Sequence, residues 1–117
     1  VRVVKGKPKF YDPPQVKDAR EKLTAYLARH KPERPLTGAL CLEAVWCFPC
    51  EKHGDGEYRT TSPDTDNLQK LLKDCMTALD FWEDDAQVSH EICAKFWAKT
   101  PGIYIRCDSS WVQQKNS

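Results

Sequence analysis

Residues 66–79 do most to limit what this chain can fold into. Leu68, Leu71, Leu72, Cys75, Met76 and Leu79 recur at helical spacing and form one apolar stripe. Asp66, Lys70, Lys73 and Asp74 fall on the opposite side of the same helical wheel. A helix patterned this way must lay its stripe against another apolar surface. Two stretches of period two supply it. From Ala39 to Phe48, the residues Leu40, Leu42, Ala44, Trp46 and Phe48 share one side of a strand, and Cys41, Val45 and Cys47 make the other side partly apolar. From Ala86 to Ala98, the residues Val88, Ile92, Ala94 and Phe96 alternate with Gln87, Glu91, Lys95 and Lys99, with His90 on the apolar side. Thr100-Pro101-Gly102 then turns the chain into a short antiparallel return strand carrying Ile103, Ile105 and Cys107.

A further helix precedes these elements. Asp12-Pro13-Pro14 combines an N-cap residue with proline at the first helical position. Val16, Ala19, Leu23, Tyr26 and Leu27 follow at helical spacing, and the helix should end near His30, ahead of Pro32 and Pro35. The expectation is an α+β fold, a small mixed β-sheet with two helices packed on it. At 117 residues the chain has the length of one domain with one core. That domain is expected to fill 1–117, with a basic arm over 1–11 and a polar tail over 108–117 in which Trp111 and Val112 are able to dock. The apolar runs are far shorter than the roughly 20 residues of a membrane span, and no charged-then-apolar leader opens the sequence.

The net charge of +1 carries no message about partners, but its distribution does. Residues 1–36 hold ten Lys or Arg against four Asp or Glu, and the remainder holds eight against thirteen. A basic arm in front of an acidic half suits phosphate binding beside metal binding; two solvated faces would give the same split. Of the six cysteines, Cys41, Cys75 and Cys107 lie in apolar patterns, which favours reduced, buried thiols and a cytoplasmic setting over a disulfide framework. Cys47, Cys50 and His53 have soft-ligand spacing that could hold zinc, yet no second C-x-x-C supplies the rest of a structural site. A strand end running into the polar loop from Pro49 to Gly56 accounts for them as well. The aromatic residues Trp46, Phe81, Trp82, Phe96 and Trp97 fit a core or a subunit contact better than a base-stacking platform. Tyr11, beside the basic arm, is the aromatic residue to test first for a contact with a partner.

The chemistry sits between Ser62 and Val88, in SPDTDNLQK and FWEDDAQV. Asp64 and Asp66 bracket the start of the second helix, Lys70 lies one turn on, and Asp84 and Asp85 follow the helix end. Carboxylates with a nearby lysine suit Mg²⁺ or Mn²⁺ facing a phosphate, because hard divalent ions take oxygen ligands and assist attack on phosphodiesters. This pattern reads as a metal-dependent nuclease. Asp64 and Asp66 can converge on one ion at the helix start. Asp85 can join them only if the chain doubles back, because a helix of about 14 residues is about 21 Å long. The competing reading is that Asp64 and Asp66 cap the helix and that Asp84 and Asp85 make a turn.

The run DTDNLQK, a helix and then FWEDDAQV closely resembles the RusA family of Holliday-junction resolvases, most strongly over Pro63 to Val88. The resemblance extends more weakly to KGKPKFYDPP and to the last two strands. It implies a small α+β homodimer that binds a four-way DNA junction and cuts two opposed strands with Mg²⁺ or Mn²⁺, with no small-molecule cofactor and no membrane, in a bacterial or phage-infected cell. The family's functional acids map onto Asp64, Asp66 and Asp85 as metal ligands, and its active-site lysine onto Lys70. Asp84 has at most a supporting role. Arg2, Lys5, Lys7 and Lys9, with Lys70, are the expected DNA-binding residues. Only Arg2 to Val4 remains of the strand with which the family usually begins. A non-catalytic DNA-binding or scaffold protein with structural carboxylates is the alternative.

Overall fold

A computed structural model describes residues 13–109, with side chains from residue 18 onward. The expected roles of Arg2, Lys5, Lys7, Lys9, Tyr11, Asp12, Val16, Trp111 and Val112, and the strand remnant at 2–4, lie outside the described residues. The elements run α1 (Pro13–Ala28), β1 (Leu40–Pro49), α2 (Thr65–Ala78), a 3₁₀ turn (Asp85–Gln87), β2 (Val88–Ala98) and β3 (Gly102–Asp108). The three strands form a mixed sheet in the order β2-β1-β3, with β1 parallel to β2 and antiparallel to β3. The architecture is α+β, as expected. The return strand is antiparallel, but it lies against β1 and not beside β2, and it includes Asp108, which the sequence pattern assigns to the tail.

Parallel strands cannot be joined by a hairpin, and α2 provides the crossover from β1 to β2. Its stripe is buried as the spacing predicts: Leu68, Leu71, Leu72, Cys75 and Met76 pack on Leu40, Leu42, Ala44, Trp46 and Phe48 of β1, and Leu79 is partly buried beside them. Ala19, Leu23 and Leu27 of α1 join the same cluster, so both helices cover one side of the sheet. Trp82 is buried and donates its indole N–H to Thr77 Oγ1 at 2.8 Å, which satisfies the polar atom of a large apolar side chain.

The face assignment of β2 is corrected. Leu40 pairs with Val88, yet Cys41 pairs with His90, so Ser89 is an extra residue in β2. Such a bulge exchanges the two sides of everything that follows it. Val88 packs toward the core, but from there on it is Glu91, Cys93, Lys95 and Trp97 that share the helix side with Leu42, Ala44, Trp46 and Phe48. His90 and Ile92 are exposed on the open side, and Phe96 stacks there on Tyr58 with ring centroids 4.8 Å apart. Strict alternation carried forward from Val88 therefore inverts this strand.

The end of α2 determines where Asp84 and Asp85 go. Phe81 N–H donates to the Met76 carbonyl at 3.0 Å and Asp80 N–H to that of Thr77 at 3.0 Å, with Asp80 at φ 63°. This is a Schellman stop with an aspartate in the left-handed position, where glycine is favoured. Asp80→Gly should therefore raise stability by up to about 1 kcal/mol, read as a higher midpoint in urea denaturation. A lower midpoint would mean that the Asp80 side chain contributes more than its backbone strain costs.

Candidate active site

A recess of about 480 Å³ opens between α2 and β2. Thr65, Asp66, Gln69, Lys70, Lys73 and Asp74 of the helix line it, facing Glu91 and Cys93 of β2 and Asp85 of the 3₁₀ turn. Asp66, Lys70 and Asp85 are thus brought to one cavity from two sequence segments. Asp64 is not among the lining residues; it stands at the α2 N-cap.

The four aspartates differ in how they are used. Asp84 accepts from Ala86 N–H at 2.9 Å, while Gln87 Oε1 accepts from the backbone N–H of Asp84 at 3.1 Å, a reciprocal cap for the 3₁₀ turn. Gln87 also donates to the carbonyls of Leu36 and Gly38, at 3.1 Å each, and so ties this turn to the entry of β1. Asp84 is consumed by structure. Asp64 occupies a cap position with φ −73° and ψ 150°, but its side chain makes no capping hydrogen bond. The exposed carboxylates of Asp66 and Asp85 likewise have no hydrogen-bond donor among the described residues. The expected turn is thus present at Asp84 and Asp85, whereas Asp64 holds the N-cap position of α2 without a capping bond from its side chain. An exposed carboxylate at a helix start with no internal donor is available to a ligand.

Lys70 pairs with Asp74 at 3.5 Å and remains 76% exposed. Such a surface pair contributes only about 0.3–0.5 kcal/mol, so the ammonium can turn toward an incoming phosphate at little cost. Asp74 also reaches Arg20 of α1 at 3.9 Å.

Four polar residues in or beside this recess had no role assigned from the sequence. Gln69, only 6% exposed, accepts from Trp46 Nε1 at 3.4 Å and donates to Glu91 Oε2 at 2.7 Å. Lys73 donates to the other Glu91 oxygen at 3.1 Å. The floor of the recess is therefore a chain of bonds from β1 through α2 to β2, which sets the helix at a fixed height above the sheet. Lys95, further along β2, donates to the carbonyls of Thr61 and Pro63 at 2.8 Å each. Glu91 and Lys95 were hidden by the bulge at Ser89, which turns toward the helices the side that period two assigns to solvent. Gln69 did leave a signal, a polar residue at the edge of the apolar stripe.

Carboxylate oxygens are the donor chemistry that hard divalent cations take, and the free state of Asp64, Asp66 and Asp85 fits that use. The described residues do not draw three such groups into a closed cage. Mg²⁺ does not require one, since it keeps several waters and binds through one or two carboxylates. Among the described residues, Cys47, Cys50 and His53 do not form a group of three or more potential metal ligands. His53 stacks on Trp97 at 4.1 Å with rings 2° from parallel and meets Glu57 at 3.3 Å, and burial raises the Cys47 thiol above its ordinary pKa. Burial also pushes Cys93, at the recess wall, up to about 11, so it stays a thiol at neutral pH.

The family model for endodeoxyribonuclease RusA matches residues 1–108. The chain belongs to the RusA family. It is 33% identical over 92 residues to a crossover junction endodeoxyribonuclease RusA of Lactococcus phage r1t, an alignment covering 75% of this chain and 68% of the phage protein. It is 29% identical over 112 residues to the uncharacterized protein YqaN of Bacillus subtilis (strain 168), covering 86% of this chain and 78% of that one. No helix among the described residues of this RusA-family chain is long and apolar enough to cross a membrane.

The different uses of Asp84 and Asp85 can be measured. Asp84→Ala removes a cap and should cost about 0.5–2 kcal/mol. Asp85→Ala should stay within about 0.5 kcal/mol of the parent. Equal losses in chemical denaturation would show that Asp85 is structural too.

Proposed function

We propose that this protein is a metal-dependent, structure-specific endodeoxyribonuclease that resolves four-way DNA junctions by hydrolysing two opposed phosphodiesters as a homodimer. The observation that carries this reading is the pair of carboxylates, Asp66 and Asp85, lining one recess together with Lys70 in a chain of the RusA family. The junction as substrate follows from the family and from the name of the phage relative. A dimer suits it, because a two-fold junction offers equivalent strands to equivalent sites.

In this reading residues 1–117 act as one nuclease domain in the cytoplasm of a bacterial or phage-infected cell. Asp64, Asp66 and Asp85 hold Mg²⁺ or Mn²⁺, an ion that, when bound, activates water and offsets charge developing on the phosphate. The protein's own contribution is positional. Lys70 swings from Asp74 to a non-bridging phosphate oxygen and favours the more highly charged transition state. Gln69, Glu91 and Lys73 keep α2 at its distance from β2, so the acids and the ammonium approach the phosphate from fixed positions. Arg2, Lys5, Lys7 and Lys9 hold the backbone of the junction arms.

The test is cleavage of a labelled four-way junction, compared with linear duplex, in Mg²⁺ and in EDTA. Asp66→Asn should abolish cleavage and leave both the melting temperature and junction binding nearly unchanged. Undiminished cleavage by this variant at limiting Mg²⁺ would sink the ligand assignment. A wild-type protein that binds junctions but never cuts them would favour the non-catalytic DNA-binding or scaffold alternative.

The arm makes a separate prediction. Neutralising Lys7 and Lys9 together should weaken binding to all sequences alike, since phosphate contacts carry no base information. Each lost contact reduces the slope of log affinity against log salt by roughly 0.9, so two per subunit of a dimer give a change of about 4. An unchanged slope would take the arm off the DNA.

A further inference from the structure

Four consecutive carbonyls lead into α2, and each accepts a hydrogen bond. Lys95 Nζ holds those of Thr61 and Pro63 at 2.8 Å each, Arg59 Nη2 holds that of Ser62, and the amide of Leu68 takes that of Asp64 at 3.1 Å. Arg59 Nε also donates to Thr61 Oγ1 at 3.1 Å. The two cations are themselves anchored. The Arg59 guanidinium lies 4.3 Å from the Phe48 ring centroid and 4.5 Å from that of Trp97, and it is 4% exposed. The backbone N–H of Arg59 donates to the Lys95 carbonyl at 3.1 Å, which fixes residues 57–59 along the edge of β2.

This arrangement is costly. Burial and the neighbouring Arg59 charge both pull the Lys95 ammonium below its ordinary pKa, and Asp64 acts in the opposite sense. Two partly desolvated cations side by side are a poor way to hold an ordinary surface loop. Their bonds end at Pro63, the residue directly before Asp64, whose side chain makes no capping hydrogen bond.

We propose that Lys95, backed by Arg59, is a positioning residue for the metal site: it locks residues 61–63 and thereby aims the Asp64 carboxylate. This inference rests on the reading of Asp64 as a metal ligand. Lys95 acts through the backbone and needs no contact with DNA or metal.

The experiment uses the full chain with Lys95→Met, which keeps the aliphatic stem and removes the donors, and Lys95→Arg, which retains charge and paired donors. Lys95→Gln replaces the methionine variant if the latter does not fold. Mn²⁺ binding is followed by electron paramagnetic resonance without DNA. Junction affinity is measured in EDTA and single-turnover cleavage in Mn²⁺. Residues that orient metal ligands from behind typically account for 10–100-fold in affinity or rate. Lys95→Met should therefore weaken Mn²⁺ binding and slow cleavage by about 10-fold or more, with junction affinity within about twofold and recovery by Lys95→Arg. A folded Lys95→Met or Lys95→Gln protein with parental Mn²⁺ affinity and rate would overturn the proposal. So would a parallel loss of junction affinity, or failure of arginine to rescue. A wild-type chain that neither binds Mn²⁺ nor cleaves would instead remove the nuclease reading on which the proposal stands.

Discussion

The parallel pairing of β1 with β2 is the constraint from which the site follows. Parallel neighbours need a crossover, and here the crossover is α2, lying on the sheet through its leucine stripe. A crossover helix runs against its strands, so its N-terminus stands at their carboxyl ends, where open sheets with such crossovers bind ligands. Asp64 and Asp66 arrive there by topology, and the helix dipole adds nothing unfavourable to a carboxylate at that end. The return segment after the Schellman stop then brings Asp85 to the wall of the recess that Asp66 lines. One pairing choice thus sets the positions of two of the three acids along the helix.

Within that frame, neighbouring residues of the same type divide between structure and chemistry. Asp84 closes the 3₁₀ turn while Asp85 remains free, and Asp74 pairs with Lys70 and Arg20 while Asp66 pairs with nothing described. Sequence spacing alone cannot make this division. Both members of each pair are acids, and capping and metal binding ask for the same atoms. Hydrogen-bond geometry separates them, because an oxygen committed to a backbone amide is worth less to an ion.

The helix stripe, the buried side of β1 and the order of elements were legible because they rest on local periodicity, which apolar burial enforces residue by residue. The faces of β2 were not, because a single extra residue, Ser89, reverses the phase and no residue type announces it. The neighbour of β3 was not legible either: Ile103, Ile105 and Cys107 fit equally well against β1 or β2, and only the closed sheet decides. The acids and Lys70 were recognisable from residue type and helix phase. Glu91 and Lys95, which hold the helix and its entry from β2, depended on the strand phase and vanished with it.

The loop before α2 shows how the core contributes to the site. Phe48 and Trp97 belong to the buried cluster, yet their ring faces also bind the Arg59 guanidinium, and Trp97 carries His53 on a stacked ring. Stacking of this kind offsets part of the cost of taking an arginine out of water, and the planar fork of donors then serves the carbonyl and hydroxyl of the next residues. Lysine at position 59 would have neither the flat face nor the fork. At position 95 the requirement is looser: a stem must pass along the sheet and end in a cation that donates in two directions, to the carbonyls of Thr61 and Pro63. Lysine cannot stand in for Arg59, whereas position 95 asks only for charge and paired donors at the residues that precede the acids.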